Sequence, residues 1–120
     1  MQTPGQAMLL RLYTDENALV GDRALADVVV QRARDARLAG ATVLRGRRGF
    51  GESARLHAPR PLNFDDNLPV VIEMVEEEAR LRAFLVTLDD LKDIGLITLE
   101  KVEVVRYGGH HTEPHPGGTA

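Results

Sequence analysis

Four segments of the chain show the alternation of hydrophobic and polar residues, or the run of β-branched residues, that is typical of strands. These segments are residues 7–14, 41–46, 68–75 and 97–107, and the first alternates around Leu10 and Leu12, which predicts a strand with one buried face. The third is the strongest, because Val70, Ile72 and Met74 would lie on one face while Val71 and Val75 would lie on the other. The sequence therefore predicts four strands, and the third is hydrophobic on both faces.

Two segments between these strands have hydrophobic residues at helical spacing. The first contains Leu25, Val29, Ala33 and Ala36, and the second contains Leu81, Phe84, Leu85, Leu88 and Leu91. Asp22 is predicted to cap the N-terminus of the first helix, and Gly40 is predicted to follow its C-terminus. The acidic residues 76–78 are predicted to open the second helix, where they complement its dipole, and Gly95 to end it.

The remaining residues form one long connection and a tail. Residues 47–67 contain glycines and prolines but few hydrophobic residues, so we predict a long loop, and loops of this length are usually functional or disordered. Residues 108–120 consist largely of Gly, Pro and His and predict a disordered tail. The expected organisation is a single domain over residues 1–107.

The order strand, helix, strand, strand, helix, strand is that of a split βαβ unit. It predicts an α+β, ferredoxin-like fold with a four-stranded antiparallel sheet and two helices on one face. The other sheet face is left bare, although Val71 and Val75 would make it too apolar to face water. The sequence therefore predicts that identical copies associate.

Composition excludes several classes of protein. The net charge of −3 over 120 residues gives no reason to expect attraction to nucleic acid. The absence of cysteine rules out disulfides and thiol chemistry and suits a reducing compartment. No segment resembles a signal peptide, and none approaches the roughly 20 apolar residues that span a bilayer. The expected location is cytoplasmic, without insertion into a membrane.

The most chemical feature is a run of arginines and glycines after the second strand. Arg45, Arg47 and Arg48 alternate with glycines that allow close backbone approach, so guanidinium and N–H groups could hold an anion. The alternative is that these arginines are simply solvated where the loop begins, and that the glycines only supply residues with positive φ. The run lacks the Lys-Ser/Thr ending of a phosphate-binding P-loop.

Glu73 stands on a mostly apolar strand, where an unpaired carboxylate would be costly. It could accept hydrogen bonds from a ligand, or it could pair with Arg106 or Arg45. The pairing is the favoured interpretation. Arg106 could likewise either contact a phosphate or form a structural ion pair.

Neither a metal site nor a catalytic site is predicted. His110, His111 and His115 lie in the Gly/Pro tail without a rigid scaffold, so we expect no designed metal site. Ser53 and His57 share one loop and have no residue to orient them as nucleophile and base. An enzyme is therefore the less favoured class, and a module that binds a protein without any ligand is the other alternative.

Three stretches in order, "GATVLRGRRGFG" (residues 40–51), "LPVVIEMV" (68–75) and "IGLITLEKVEVVRY" (94–107), resemble the PII-like proteins. The similarity is closer to that superfamily's uncharacterised branch, domain of unknown function 190 (UPF0166), and covers roughly residues 8–107. It implies a homotrimer whose sheets surround a central axis and cover the bare face. It also implies that residues 47–67 are the T-loop, through which PII proteins contact target proteins, commonly membrane transport proteins.

The resemblance further implies a ligand and its site. PII proteins bind adenine nucleotides in clefts between subunits, and the ligand orders the T-loop. The predicted ligand-binding residues are Thr42, Arg45, Arg47, Gly49, Phe50, Gly51, Glu73, Val75, Gly95 and Arg106. The glycine-rich phosphate loop of PII proteins is shortened here to residues 94–96, and Lys101 comes several residues too late to replace its lysine. This departure leaves open whether a triphosphate binds, and the candidate effectors are AMP, ADP, ATP, a cyclic nucleotide or another small anion.

Overall fold

The computed structural model describes residues 5–49, 67–108 and 110–111 of the chain. Its elements in chain order are β1 (Gly5–Asp15), β2 (Leu19–Val20), β3 (Arg23–Ala24), α1 (Leu25–Asp35), β4 (Thr42–Arg45), β5 (Pro69–Glu76), α2 (Glu78–Val86), β6 (Leu96–Val104), β7 (Arg106–Tyr107) and β8 (His110–His111). Phe50, Gly51 and most of the predicted loop lie outside the described residues. Within these ranges, no helix is long and apolar enough to cross a membrane.

The main sheet has the strand order β4-β5-β1-β6, and every neighbouring pair is antiparallel. Two helices and a four-stranded antiparallel sheet agree with the predicted α+β, ferredoxin-like class. The small hairpin of β2 and β3 and the short pair β7–β8 lie outside this sheet.

The core lies between the helices and one face of the sheet, because alternate residues of the two central strands point the same way. Leu10, Leu12 and Ile72 have no exposed surface. Burial of each such side chain is worth about 1.5–3 kcal/mol. The buried helix residues that meet these strands are Leu25, Val29, Ala33, Leu81 and Phe84. The alternation in the sequence therefore identified the core-facing residues of β1 and β5 correctly.

The opposite face of the sheet, which we call the open face, carries the other residues of the four strands. The strand register aligns them in rows across the sheet. One row is apolar and consists of Leu44, Val71, Tyr13 and Leu96, and the next is polar and consists of Thr42, Glu73, Arg11 and Thr98. Val71 and Val75 are half-buried on this face, away from the helices, as the alternation predicted.

The predicted limits of α1 are wrong at both ends. Asp22 is not the N-cap, because Gly21 (φ +63°) and Asp22 form the turn between β2 and β3, and the helix begins at Leu25. At the other end Arg37, with φ +59°, takes the left-handed conformation expected of Gly40. Leu38 N–H donates to the Ala33 carbonyl at 3.1 Å, which closes the last turn before Gly40 is reached.

The second helix and the last strand are shorter than predicted. Helix α2 ends at Val86, and Gly95 lies instead just before β6, where its N–H donates to the Tyr13 carbonyl at 2.8 Å. Strand β6 ends at Val104 rather than at Tyr107. Gly108 (φ +62°) then turns the chain so that β7 pairs with β8, at the start of the segment predicted as a tail.

Candidate functional site

The loop base, which we define as residues 46–49, follows β4 at one end of the sheet and packs on Pro69. Gly46 N–H donates to the Pro69 carbonyl at 2.8 Å. A Cβ on Gly46 would lie 2.7 Å from Pro69 Cγ, and one on Gly49 would lie 3.3 Å from the same atom. Gly49 also has φ +140°, which residues other than glycine rarely adopt. Both glycines are therefore needed where the backbone meets the proline.

The arginines of this region fall into two groups. Arg45 contacts Glu16 through Nη2 and Oε1 at 3.1 Å. Arg47 and Arg48 are exposed and form no ion pair with any residue that the structure describes. Two guanidinium groups are thus available to an anion at the loop base, next to backbone that Pro69 holds in place.

Glu73 pairs with Arg11, which corrects the predicted pairing with Arg106 or Arg45. Arg11 Nε donates to Glu73 Oε2 at 2.9 Å, and Arg11 Nη1 lies 3.6 Å from Glu100 Oε1. The hydrogen bond to Glu73 raises the pKa of Arg11 against the opposing effect of partial desolvation. The strand register explains the choice of partner, since Arg11 lies directly opposite Glu73 on the neighbouring strand.

Some of the predicted ligand residues lie at opposite ends of the sheet. Arg45, the loop base and Gly95 lie at the end where β4 finishes and β6 begins. Arg106 follows the end of β6 and therefore lies about 30 Å from that end of the sheet, at ~3.3 Å per residue. Its side chain is exposed, and its Nε donates to the Gly108 carbonyl at 2.9 Å. Within one chain Arg106 therefore cannot meet the loop base.

Thr42 and Val75 lie on the open face between these two ends. Thr42 is exposed and lies opposite Glu73 in the polar row, while Val75 lies opposite Leu9. Ser53, His57 and His115 fall outside the described residues. Within the described ranges, no group of three or more His, Asp or Glu side chains is arranged to hold a metal ion.

The sequence analysis missed a buried carboxylate. Glu76 has no exposed surface and accepts hydrogen bonds from Ala39 N–H at 2.9 Å, from Glu77 N–H at 3.0 Å and from Arg80 Nη1 at 3.2 Å. Burial raises the pKa of Glu76, but the hydrogen bonds to its carboxylate, those from Glu77 N–H and Ala39 N–H among them, lower it more, and the pKa lies below its ordinary 4.5. The signal was available, because position 76 continues the core-facing series of Val70, Ile72 and Met74.

Arginines from each helix also close the C-terminus of the other helix. Arg80 of α2 donates to the Arg37 carbonyl at 2.7 Å, beyond the end of α1. Arg32 of α1 donates to the Thr87 carbonyl at 2.6 Å and forms a bidentate pair of hydrogen bonds with the Asp90 carboxylate. The bond with Arg32 lowers the pKa of Asp90. These contacts fix the two helices against each other.

A family model and two relatives match most of the chain. The family model DUF190, described as an uncharacterized ACR, matches residues 7–104. A "UPF0166 protein" of Aquifex aeolicus (strain VF5) is 35% identical over 97 residues, which cover 81% of this chain and 91% of the relative. A second "UPF0166 protein" of the same organism is 30% identical over 97 residues, which cover 81% of this chain and 95% of that relative. The chain belongs to the DUF190 (UPF0166) family.

Proposed function

We propose that this protein is a PII-like regulatory protein of the cytoplasm and not an enzyme. In this proposal a small anionic ligand, an adenine nucleotide, binds in clefts between the subunits of a homotrimer. The segment that follows the loop base then relays the bound state to a target protein, and the resemblance makes a membrane transport protein the expected class of target. The ligand shifts the protein towards the conformation for which it has the higher affinity.

The observation that carries this proposal is the loop base. Arg47 and Arg48 are exposed, they form no ion pair with a described residue, and they lie between two glycines that are packed on Pro69. Guanidinium groups bind phosphate through charge-assisted hydrogen bonds, and a fixed backbone lowers the entropy lost on binding. This combination favours an anion site over a loop base that is merely solvated.

The separation of the predicted ligand residues supports a site between subunits. Arg106 and the loop base lie at opposite ends of one sheet, so a ligand that contacts both must bind two copies. The open face supports the same assembly, because Leu44 and Leu96 are 48% and 54% exposed on it. A face of this kind is stabilised when another copy covers it.

Replacing both Arg47 and Arg48 by Ala is expected to weaken nucleotide binding by at least one to two orders of magnitude. Each charge-assisted contact is worth about 1.5–3 kcal/mol, and ~1.4 kcal/mol changes the dissociation constant tenfold. Calorimetry with AMP, ADP, ATP and cyclic AMP measures the effect. Arg34→Ala, which removes an exposed arginine from α1, is the matched control and should leave the affinity unchanged. Equal affinities for the double variant and the unchanged protein would contradict the proposal.

The unchanged protein is expected to sediment as a trimer at micromolar concentration, and Val71→Asp to dissociate it. Val71 lies in the apolar row of the open face, where a carboxylate would be desolvated without a partner. Sedimentation equilibrium measures both masses, and circular dichroism checks that the variant is folded. A monomeric unchanged protein, or a Val71→Asp variant that stays fully assembled, would exclude an interface through this face.

A further inference from the structure

Glu16 holds one of the three arginines at and beside the loop base. Glu16 Oε1 lies 3.1 Å from Arg45 Nη2, whereas Arg47 and Arg48 form no ion pair with any residue that the structure describes. The side chain of Glu16 is 37% exposed and that of Arg45 is 64% exposed. The ion pair is therefore accessible, so an arriving anion can compete with the Glu16 carboxylate for the Arg45 guanidinium.

The backbone at Glu16 is tied to the residues that lead into β5. Glu16 N–H donates to the Leu68 carbonyl at 2.9 Å, and Asn17 N–H donates to Asn67 Oδ1 at 3.1 Å. These contacts keep the turn after β1 close to the end of β4, where Arg45 lies. Because the backbone of Glu16 is held there, the ion pair with Arg45 forms with a smaller loss of conformational entropy than a pair between two unconstrained segments.

The other charged groups at this end of the sheet do not take the place of Glu16. Asp15 ends β1, and its carboxylate accepts a backbone N–H of the following turn at 3.1 Å. Asp93 lies at the same end, since its carbonyl accepts from Thr14 Oγ1 at 2.8 Å, and both Asp93 and Lys92 are exposed. Within the described residues, Glu16 is the carboxylate that forms an ion pair with one of the three arginines.

We infer that Glu16 is a specificity-determining residue, which disfavours ligands with a chain of phosphates relative to ligands with a single phosphate. While Glu16 holds Arg45, two guanidinium groups are free, and they can bind one phosphate group through charge-assisted hydrogen bonds. A chain of phosphates carries more negative charge, and neutralising it with the third guanidinium requires Arg45 to leave Glu16. The inference rests on the proposed function and adds which class of adenine nucleotide the site selects.

Glu16→Gln tests this inference, because it removes the charge and keeps the size of the side chain. Calorimetry with AMP and with ATP, in buffer without divalent cations, gives the ratio of the two dissociation constants. The variant is expected to bind ATP about two- to fivefold more tightly, which corresponds to ~0.4–1 kcal/mol, the range of exposed ion pairs. Its affinity for AMP should change by a smaller factor. A purely structural role of Glu16 would shift both affinities alike and leave their ratio unchanged.

The same substitution in an Arg45→Ala background shows whether Glu16 acts through Arg45. Without this guanidinium Glu16 has no arginine to withhold, so most of the gain in ATP affinity is expected to disappear. The measurements are made at ~0.15 M salt, where the Debye length is ~8 Å and more distant charges are largely screened. Asp22→Asn removes an equal charge from the exposed turn between β2 and β3, and this matched control should leave the ratio unchanged.

The outcomes separate this inference from the proposed function. If the nucleotides bind but Glu16→Gln leaves the ratio of the ATP and AMP affinities unchanged, the inference is overturned and the proposed function stands. An equal gain with and without Arg45 would mean that the carboxylate repels the ligand directly, and it would also overturn the inference. If neither the unchanged protein nor Glu16→Gln binds AMP or ATP at millimolar concentration, the proposed function loses its ligand and the inference fails with it. Thermal unfolding checks that every variant is folded.

Discussion

Replacing Glu76 by Gln is expected to lower the free energy of unfolding by about 2–4 kcal/mol. The carboxylate is fully buried and accepts from two backbone N–H groups and from Arg80, so at least these donors depend on it. The amide of Gln keeps one acceptor oxygen but turns an NH₂ group towards donors that then lack a partner. Each unsatisfied buried group costs about 1–3 kcal/mol, and breaking a buried ion pair costs about 3–5 kcal/mol. Urea unfolding measures the difference.

Helix α2 offers a matched control for this prediction. Arg82 and Glu78 form an ion pair at 2.8 Å with the same four-residue spacing as Arg80 and Glu76, but both side chains are about half exposed or more. Arg82→Ala should therefore cost no more than about 1 kcal/mol. Arg80→Ala should cost more, because it removes the partner of Glu76 and the donor to the Arg37 carbonyl. Equal effects of the two arginine variants would show that Glu76 does not depend on its ion pair.

The contribution of Glu76 also depends on pH with a defined sign. Because its pKa is lower in the folded protein than its ordinary 4.5, the carboxylate stabilises the fold fully above pH 4.5. This contribution is lost as the pH falls from that value through the folded pKa. The stability difference between the unchanged protein and Glu76→Gln should therefore be constant near pH 7 and shrink below pH 4.5. A difference that stays constant down to pH 3 would contradict the lowered pKa.

The sequence predicted those parts of the fold that depend on the spacing of hydrophobic residues within one segment. The alternation in β1 and β5 correctly identified Leu10, Leu12 and Ile72 as core residues and Val71 as a residue of the other face. The order of the elements then favoured the antiparallel sheet that the structure contains. These predictions succeeded because a hydrophobic period of two determines which side of a strand is buried, whatever its neighbours are.

The details that the sequence missed depend on contacts between distant segments. Arg37 closes α1 in place of Gly40 because Arg80 binds its carbonyl and Leu38 packs on the core. The run of residues 76–78 was interpreted as a helix opening, whereas Glu76 ends β5 and binds Ala39 across the molecule. Rules for helix ends describe one segment at a time, so they could not anticipate partners that only the packing of α1 against α2 supplies.

The candidate site shows the same division. Its arginines and glycines were recognised from the sequence, but the ion pair of Glu73 with Arg11 depends on the register of β1 and β5. The position of Arg106, at the far end of the sheet from the loop base, depends on the direction of β6. The ligand residues expected from the resemblance therefore include Arg106 and the loop base at opposite ends of the sheet, and only the topology shows that these two cannot meet within one chain.

Replacing Gly46 or Gly49 by Ala is expected to destabilise the loop base and to weaken nucleotide binding without removing any charge. An added Cβ at Gly46 would lie 2.7 Å from Pro69 Cγ, so the backbone or the proline ring must shift, at a cost of about 1–3 kcal/mol. At Gly49 the φ of +140° would strain an alanine by about the same amount. Either shift would displace Arg47 and Arg48 from the arrangement on which the proposed anion site depends.

Gly40→Ala is the matched control, because it lies just before β4 and a Cβ there would meet no atom within 4 Å. Its φ lies outside the left-handed region, so alanine should be neutral or should stabilise the fold by up to about 1 kcal/mol, because it lowers the conformational entropy of the unfolded chain. Thermal unfolding gives the stability of the three variants, and calorimetry with AMP and ADP gives their affinities. If Gly46→Ala and Gly49→Ala bind nucleotide as tightly as Gly40→Ala does, the loop base is not the anion site. In that case the glycines serve only the packing on Pro69, and Arg47 and Arg48 are simply solvated.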